Sequence, residues 1–306
     1  MRTQPITGTG LAMSMFQGIA GHRAAGKLAA LALFAVAGLT FFAAPAAAER
    51  VGAAVPWQMN FQEAATPVME QVNQFHNLLL VIITGITIFV LVLMLYIAWR
   101  FSEKRNPEPS KTTHNTLLEV VWTVVPVLIL VVIAIPSFRL MYYQAEVANA
   151  DMTIKAIGRQ WYWTYEYPDH GDFSFDSFMI DDNEIDPEAG QLRKLSVDEE
   201  IVLPVGQNVR ILVTASDVIH SFAVPAFGIK MDGIPGQLNE TWARIDEPGI
   251  YYGQCSELCG IGHADMPIAV RAVSEEDFQD WIETQQARHG VEPAGDRQIA
   301  QTRASE

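Results

Sequence analysis

Cys255, Cys259, His263 and Met266 follow one another at intervals of four, four and three in the run Gln254-Cys255-Ser256-Glu257-Leu258-Cys259-Gly260-Ile261-Gly262-His263-Ala264-Asp265-Met266. Two thiols, an imidazole and a thioether are soft to borderline donors, and thiolate with thioether selects copper over the hard cations that prefer oxygen. These are the only two cysteines among 306 residues. Two thiols four residues apart also suit a disulfide in an oxidising compartment, but a disulfide gives His263 and Met266 no role. A tetrahedral zinc ion would use both cysteines, His263 and one further histidine, and the neighbouring thioether fits it less well.

A mononuclear blue-copper site takes one Cys, two His and a weak axial Met, which leaves one cysteine over. Two thiolates on one loop can instead bridge two copper ions, each completed by one imidazole. The second imidazole must come from elsewhere, and His220 is the best placed, in Ser216-Asp217-Val218-Ile219-His220 just after an expected strand. His22 lies in the N-terminal segment, His76 and His114 flank apolar runs, His170 sits in an acidic turn and His289 in the tail. A lone histidine at a strand end is more often a satisfied polar residue than a ligand.

The elements that must position this loop can be read from the hydropathy. Residues 1–48 carry Arg2, Arg23 and Lys27, an apolar run from Leu28 to Phe42, then Ala43-Ala44-Pro45-Ala46-Ala47-Ala48. That pattern is a secretory signal with an Ala-x-Ala cleavage site, too short in its apolar run for a membrane helix of about 20 residues. Leu78 to Trp99 contains no charge and at ~1.5 Å rise per residue reaches about 33 Å, enough to cross a ~30 Å hydrocarbon layer. Leu117 to Phe138 is a second run, with Glu119 near its start. Arg100, Lys104, Arg105 and Lys111 in the loop between them place that loop on the cytoplasmic side. Both outer ends of the hairpin then lie in the periplasm, in agreement with an export signal.

From about Asp151 short β-branched and aromatic runs alternate with Gly, Pro and Asp. Strands are expected at Thr153–Gly158, Tyr162–Tyr167, Ile201–Val205, Val209–Thr214, Thr241–Ile245, Ile250–Gly253 and Ile268–Val273, which together make a sandwich or Greek-key barrel. Ser274 to Arg288 has helical spacing of Phe278, Trp281 and Ile282, and the tail from His289 is polar. The expected divisions are a signal at 1–48, a periplasmic segment at 49–77, a two-helix transmembrane hairpin at 78–138, a periplasmic β-domain at 139–288 and a tail at 289–306.

The net charge of −15 falls mostly on the exported domain, where ten acids stand between Asp172 and Glu200. Such a surface steers cationic partners and repels nucleic acid, although a charge run is also what a solvated loop looks like.

Four separate stretches now resemble subunit II of the haem-copper cytochrome c oxidases of bacterial type. They are Thr113-His114-Asn115 before Glu119, Gln160-Trp161-Tyr162-Trp163, Asp217-Val218-Ile219-His220-Ser221, and Cys255 to His263 with Met266-Pro267, in the family's order. The resemblance implies a transmembrane α-helical hairpin followed by an all-β cupredoxin-like Greek-key barrel that holds the binuclear copper A centre. It implies His220, Cys255, Cys259, His263 and Met266 as copper ligands, with the backbone carbonyl of Glu257. The Glu257 side chain resembles a ligand of a magnesium or manganese ion shared with subunit I, a hard ion that prefers carboxylate. Trp161 resembles the residue through which electrons enter, and Glu119 the group through which protons are taken up. Glu166, Asp176, Asp198 and Asp217 resemble the acids that dock cytochrome c.

The implied function is to take electrons from cytochrome c and pass them to the haems of subunit I, where oxygen is reduced to water with coupled proton transport. The implied partners are subunit I, subunit III, cytochrome c and membrane lipid, with no nucleic acid, in the bacterial inner membrane.

This chain departs from the family's pattern at Asp265, where Tyr is common, at Gln237, where Arg is usual, at Leu117 for Pro and at Phe222 for Trp. The paired cysteines set it apart from copper-free quinol oxidase subunits. The length leaves no room for a nitrous oxide reductase's catalytic domain, and no Cys-x-x-Cys-His haem motif occurs. A membrane-tethered copper carrier is the remaining rival.

Overall fold

The computed structural model describes residues 50–147 and 149–290. The expected signal at 1–48 and the tail beyond 290 lie outside those residues. Two long helices, α1 (Pro67–Arg100) and α2 (Thr116–Ala145), precede a β-domain. Both are long and apolar enough to cross a membrane, and their apolar side chains are exposed along the length expected for the two spans. With every backbone polar group paired inside the segment, a helix is the form such a run must take in lipid. Pro126 and Pro136 inside α2 each free a carbonyl of the preceding turn, which membrane helices tolerate where neighbouring helices, hydroxyl side chains or local adjustments re-satisfy it.

Helix α1 starts eleven residues before the expected span, inside the stretch assigned to a periplasmic segment, so His76 lies within the helix rather than beside it. Its start is fixed to the β-domain. The Thr66 side chain caps the Met69 amide and its hydroxyl donates to the Phe227 carbonyl at 2.8 Å, while the Ala65 amide donates to the Ala226 carbonyl. Val68 and Met69 are buried at this contact. The outer end of α2 meets the same domain through Tyr143, whose ring stands edge-on to Trp242 at 5.5 Å.

The β-domain consists of two sheets. One orders β5 (Ile201–Pro204), β11 (Pro267–Val273), β10 (Gly249–Cys255), β7 (His220–Val224) and β8 (Ile229–Gly233), with β1 (Arg50–Gly52) sharing the edge of β10 with β7. The other orders β4 (Phe173–Ser177), β3 (Tyr162–Tyr167), β2 (Met152–Arg159), β6 (Val209–Ala215) and β9 (Asn239–Ala243). Alternate residues of β6 are buried and half-buried, the period-two pattern of a strand with one face on a core. The aromatic and aliphatic faces of the sheets, among them Trp163, Tyr165, Tyr167, Ile211, Phe222, Tyr251, Ile268 and Val270, form one core. Helix α3 (Glu275–Arg288), capped by Ser274, closes one end by burying Phe278 and Ile282.

All seven expected strands form, with ends shifted by up to two residues: Thr241–Ile245 becomes Asn239–Ala243. Four strands were not expected. The alternation in β4 is masked by its acidic neighbours, and β8 carries Lys230 and Asp232. Strand β7 is buried throughout and so lacks alternation. His220 therefore opens a strand instead of trailing one. His289, assigned to the polar tail, stacks on Phe173 at 5.7 Å.

Candidate metal centre

The β10–β11 hairpin carries both cysteines at its tip, and β7 runs beside β10 with Phe222 opposite Cys255. That register brings His220 to the loop from 35 residues away: its Nδ1 lies 3.8 Å from the Cys255 sulfur. Gly158 on β2 makes room for the imidazole, since a Cβ there would stand 2.7 Å from the ring. The donors continue in a chain. Cys255 Sγ and Cys259 Sγ are 3.9 Å apart, Cys259 Sγ is 3.6 Å from His263 Nδ1 and 3.6 Å from Met266 Sδ, and Cys255 Sγ is 3.3 Å from the Glu257 carbonyl.

Both cysteines are free thiols, far from the ~2.05 Å of a disulfide. The ligand atoms of His220, Cys255 and Cys259 all lie within 4.8 Å of one another. With metal–ligand bonds of about 2.0–2.3 Å to imidazole and thiolate, neighbouring donors in this chain can share an ion, so the residues fit a metal. The six residues that the resemblance implies as ligands, including the Glu257 backbone, lie together in one chain of donors.

Electrostatics prepare the site for cations. Burial pushes the Cys255 thiol up, but hydrogen bonds from His220 and from the backbone near Glu257 outweigh it and hold its pKa down at about 6. Cys259 is pushed up to about 12 by burial and by the charge of Cys255. One thiolate is thus easy and the second is resisted until positive charge arrives. His220 Nε2 meets Asp217 Oδ1 at 2.8 Å, which places the proton on Nε2 and leaves the Nδ1 lone pair for a metal.

Trp161 lies against the loop. Its indole Nε1 donates to the Cys259 carbonyl at 3.2 Å, beside Gln160 Nε2, which donates to the same oxygen at 2.8 Å. A Cβ on Gly262 would stand 2.5 Å from the Trp161 ring, so only glycine permits this approach. Behind it, Trp163 Nε1 donates to the Met266 carbonyl and its ring meets His220 and Phe222 edge-on. Phe222 is thereby a wall of the site.

The four docking acids divide. Asp176, Asp198 and Asp217 are exposed, with Asp176 accepting from the Thr164 hydroxyl at 2.6 Å and Asp198 from the Phe178 and Glu199 amides. Glu166 is half-buried and paired with Lys155 at 2.9 Å, and Asp217 is engaged by His220 and by the Gln160 and Val218 amides. The Glu257 side chain is exposed. Glu119 occupies the first turn of α2, where the helix dipole favours a carboxylate, behind the Asn115 cap. Asp265, the least expected residue of the loop, accepts from Lys194 Nζ at 2.9 Å.

Sequence reasoning missed an apolar rim. Leu258 and Ile261 are 79% and 94% exposed between the ligands, and Val218 and Ile219 of the His220 loop are exposed as well, as is Phe178, which stacks on Tyr162. The signal was present: apolar residues in a ligand loop have no core of their own to join.

A β-domain with a site that can hold a metal, on two helices long and apolar enough to span a membrane, defines a class of membrane-anchored proteins with a candidate metal centre. The family described as cytochrome C oxidase subunit II, periplasmic domain, matches residues 152–273, and the corresponding transmembrane domain matches 54–140. The chain belongs to the cytochrome c oxidase subunit II family. The probable cytochrome c oxidase subunit 2 of Rickettsia bellii is 53% identical over 228 residues, 74% of this chain and 84% of that one. The subunit 2 of Cereibacter sphaeroides is 48% identical over 259 residues, 79% and 84% of the two chains. The crystal structure of the periplasmic domain of subunit II of cytochrome oxidase from Bradyrhizobium japonicum is 53% identical. It covers 47% of this chain and 99% of its own, with a TM-score of 0.44. The enzyme to which such subunits belong is an oxidoreductase.

Proposed function

We propose that this chain is the electron-receiving subunit of a respiratory oxidase, taking electrons from cytochrome c at a binuclear copper A centre and passing them to haems in subunit I, where oxygen is reduced with coupled proton transport. The observation that carries this reading is the donor chain itself. Two free thiols 3.9 Å apart have His220 beyond one sulfur and His263 with Met266 beyond the other. That order suits two ions sharing two sulfurs better than one tetrahedral ion. When bound, copper A would supply a one-electron centre.

The chain's own residues do the rest. Asp217 orients His220, the core around Trp163 and Phe222 keeps water from the sulfurs, and Trp161 offers an aromatic path from the surface to Cys259. Asp176 and Asp198 with the apolar rim form the docking face for a cationic cytochrome. Glu166 and Asp217, with their charges partnered, contribute less to it. Glu257 offers its exposed carboxylate to a magnesium or manganese ion shared with subunit I, and Glu119 takes up protons at the cytoplasmic end of α2. The N-terminal signal, the periplasmic placement of the domain in a bacterial inner membrane, and contacts with subunit III complete the reading.

An electron paramagnetic resonance spectrum of the copper-loaded full chain tests it. A signal delocalised over two coppers, abolished by Cys259→Ser, is expected. A single-copper signal overturns the binuclear assignment.

A further inference from the structure

Between β4 and β5 the chain leaves the sheets for about twenty residues. The excursion is closed at its base by the bridge between Met179 and Val197 and by the Ile180 amide donating to the Ser196 carbonyl. It is not a loose loop. Leu192 and Leu195 pack with Val197 on Tyr252 of β10 and Ala269 of β11, the two legs of the hairpin whose tip bears the metal ligands. Ser196 is buried and accepts from the Leu192 amide at 2.8 Å.

At the far end Arg193 is held by Asp182, with contacts of 2.9 and 2.6 Å. Lys194, at φ 63, points to the metal loop and donates to Asp265 Oδ1 at 2.9 Å across 71 residues of sequence. Asp265 ends the single helical turn His263–Asp265, whose first residue is a ligand and whose next neighbour, Met266, is another. The Asp265 amide donates to the Gly262 carbonyl at 2.9 Å. Holding Asp265 therefore holds the segment that aims both His263 and Met266.

We propose that the 178–198 excursion is a positioning strap for the metal loop, in which Lys194 fixes the His263–Asp265 turn through Asp265 and slows the loss of copper. The proposal rests on the copper reading above. It also explains Asp265: an acid is needed where the strap delivers a cation. The pair is partly exposed, with side chains 35% and 45% accessible, so its effect is that of a surface ion pair multiplied only by where it acts.

The test compares the copper-loaded full chain with Lys194→Asn, Asp265→Asn, the double variant and Lys194→Arg. Asparagine is chosen at 194 because it tolerates positive φ. Copper transfer to a chelator in excess should be about two- to fivefold faster in each neutral variant. It should be no faster in the double variant than in the faster single one, and close to the parent in Lys194→Arg. Salt should accelerate release from the parent and not from Asp265→Asn. In the metal-free chain, amide exchange at residues 263–266 should rise in Asp265→Asn. Parental release and exchange in the single variants, or additive effects in the double variant, overturn the strap. A chain that binds copper without the two-copper spectrum overturns the function reading instead, while release and exchange still decide the strap.

Discussion

Asp217 and His220 are joined by a 2.8 Å contact between Oδ1 and Nε2, while the opposite ring nitrogen of His220 faces the Cys255 sulfur at 3.8 Å. The carboxylate is itself set by the Gln160 and Val218 amides at 2.7 Å each, so the backbone beside Trp161 and the ligand His220 share one acid. Hydrogen bonds from His220 and from these amides overcome partial burial to hold Asp217 below the usual carboxylate range. Asp217→Asn can turn its amide N–H toward Nε2 and favour the wrong tautomer. Outer partners of ligating histidines are typically worth about 10- to 100-fold in metal affinity. A loss of that size in a chelator competition is expected, and unchanged affinity would show that Asp217 does not orient the ligand.

Trp161→Phe keeps an aromatic ring against the loop and removes the Nε1 donor to the Cys259 carbonyl. The copper spectrum should survive, because Gln160 still serves that oxygen. Electron uptake from reduced cytochrome c should fall by an order of magnitude or more with little change in KM, since the docking acids are untouched. An unaltered uptake rate removes Trp161 from the electron path.

Much of this was legible in the sequence, and the reasons differ by region. The two spans announce themselves because lipid demands a continuous apolar run, and the ligand loop because soft donors at short spacing have few other uses. Strand β7 is hidden because a strand buried on both faces does not alternate, so His220 is legible from its place after the preceding strand and from the poor placement of the other histidines, not from a strand of its own. The partners of Asp217, Glu166 and Asp265 depend on long-range register: Lys155 faces Glu166 through the β2–β3 pairing, and Lys194 reaches Asp265 through a packed excursion. No local pattern encodes such pairs.

Gly262 has an ordinary backbone conformation but no space for a side chain, its Cβ position lying 2.5 Å from the Trp161 ring. Gly262→Ala must displace either the indole or the loop, at a cost of about 1–3 kcal/mol for overpacking. A lower thermal midpoint and a changed copper spectrum are expected together. A normal midpoint with a normal spectrum would mean that Trp161 yields freely and is not held against the centre.

Copper uptake should depend on pH with a slope that the thiols set. Copper binds the thiolates, so each proton present on a donor in the metal-free chain must be released on binding. Cys259, pushed up to about 12 by burial and by the neighbouring charge, carries a proton throughout the working range. Its release should by itself raise apparent affinity about tenfold per pH unit. His220 has its pKa raised: burial lowers it, but Cys255 and Asp217 outweigh that by favouring the imidazolium, so this ring keeps its proton to higher pH than a free imidazole and gives up a second proton on binding there. Cys255, held down at about 6, is already ionised at neutrality and adds a third only as the pH falls past that value. Competition titrations across pH should therefore show a slope of at least one in mild alkali that steepens on acidification. A flat profile above neutrality would mean that Cys259 is already a thiolate before copper arrives.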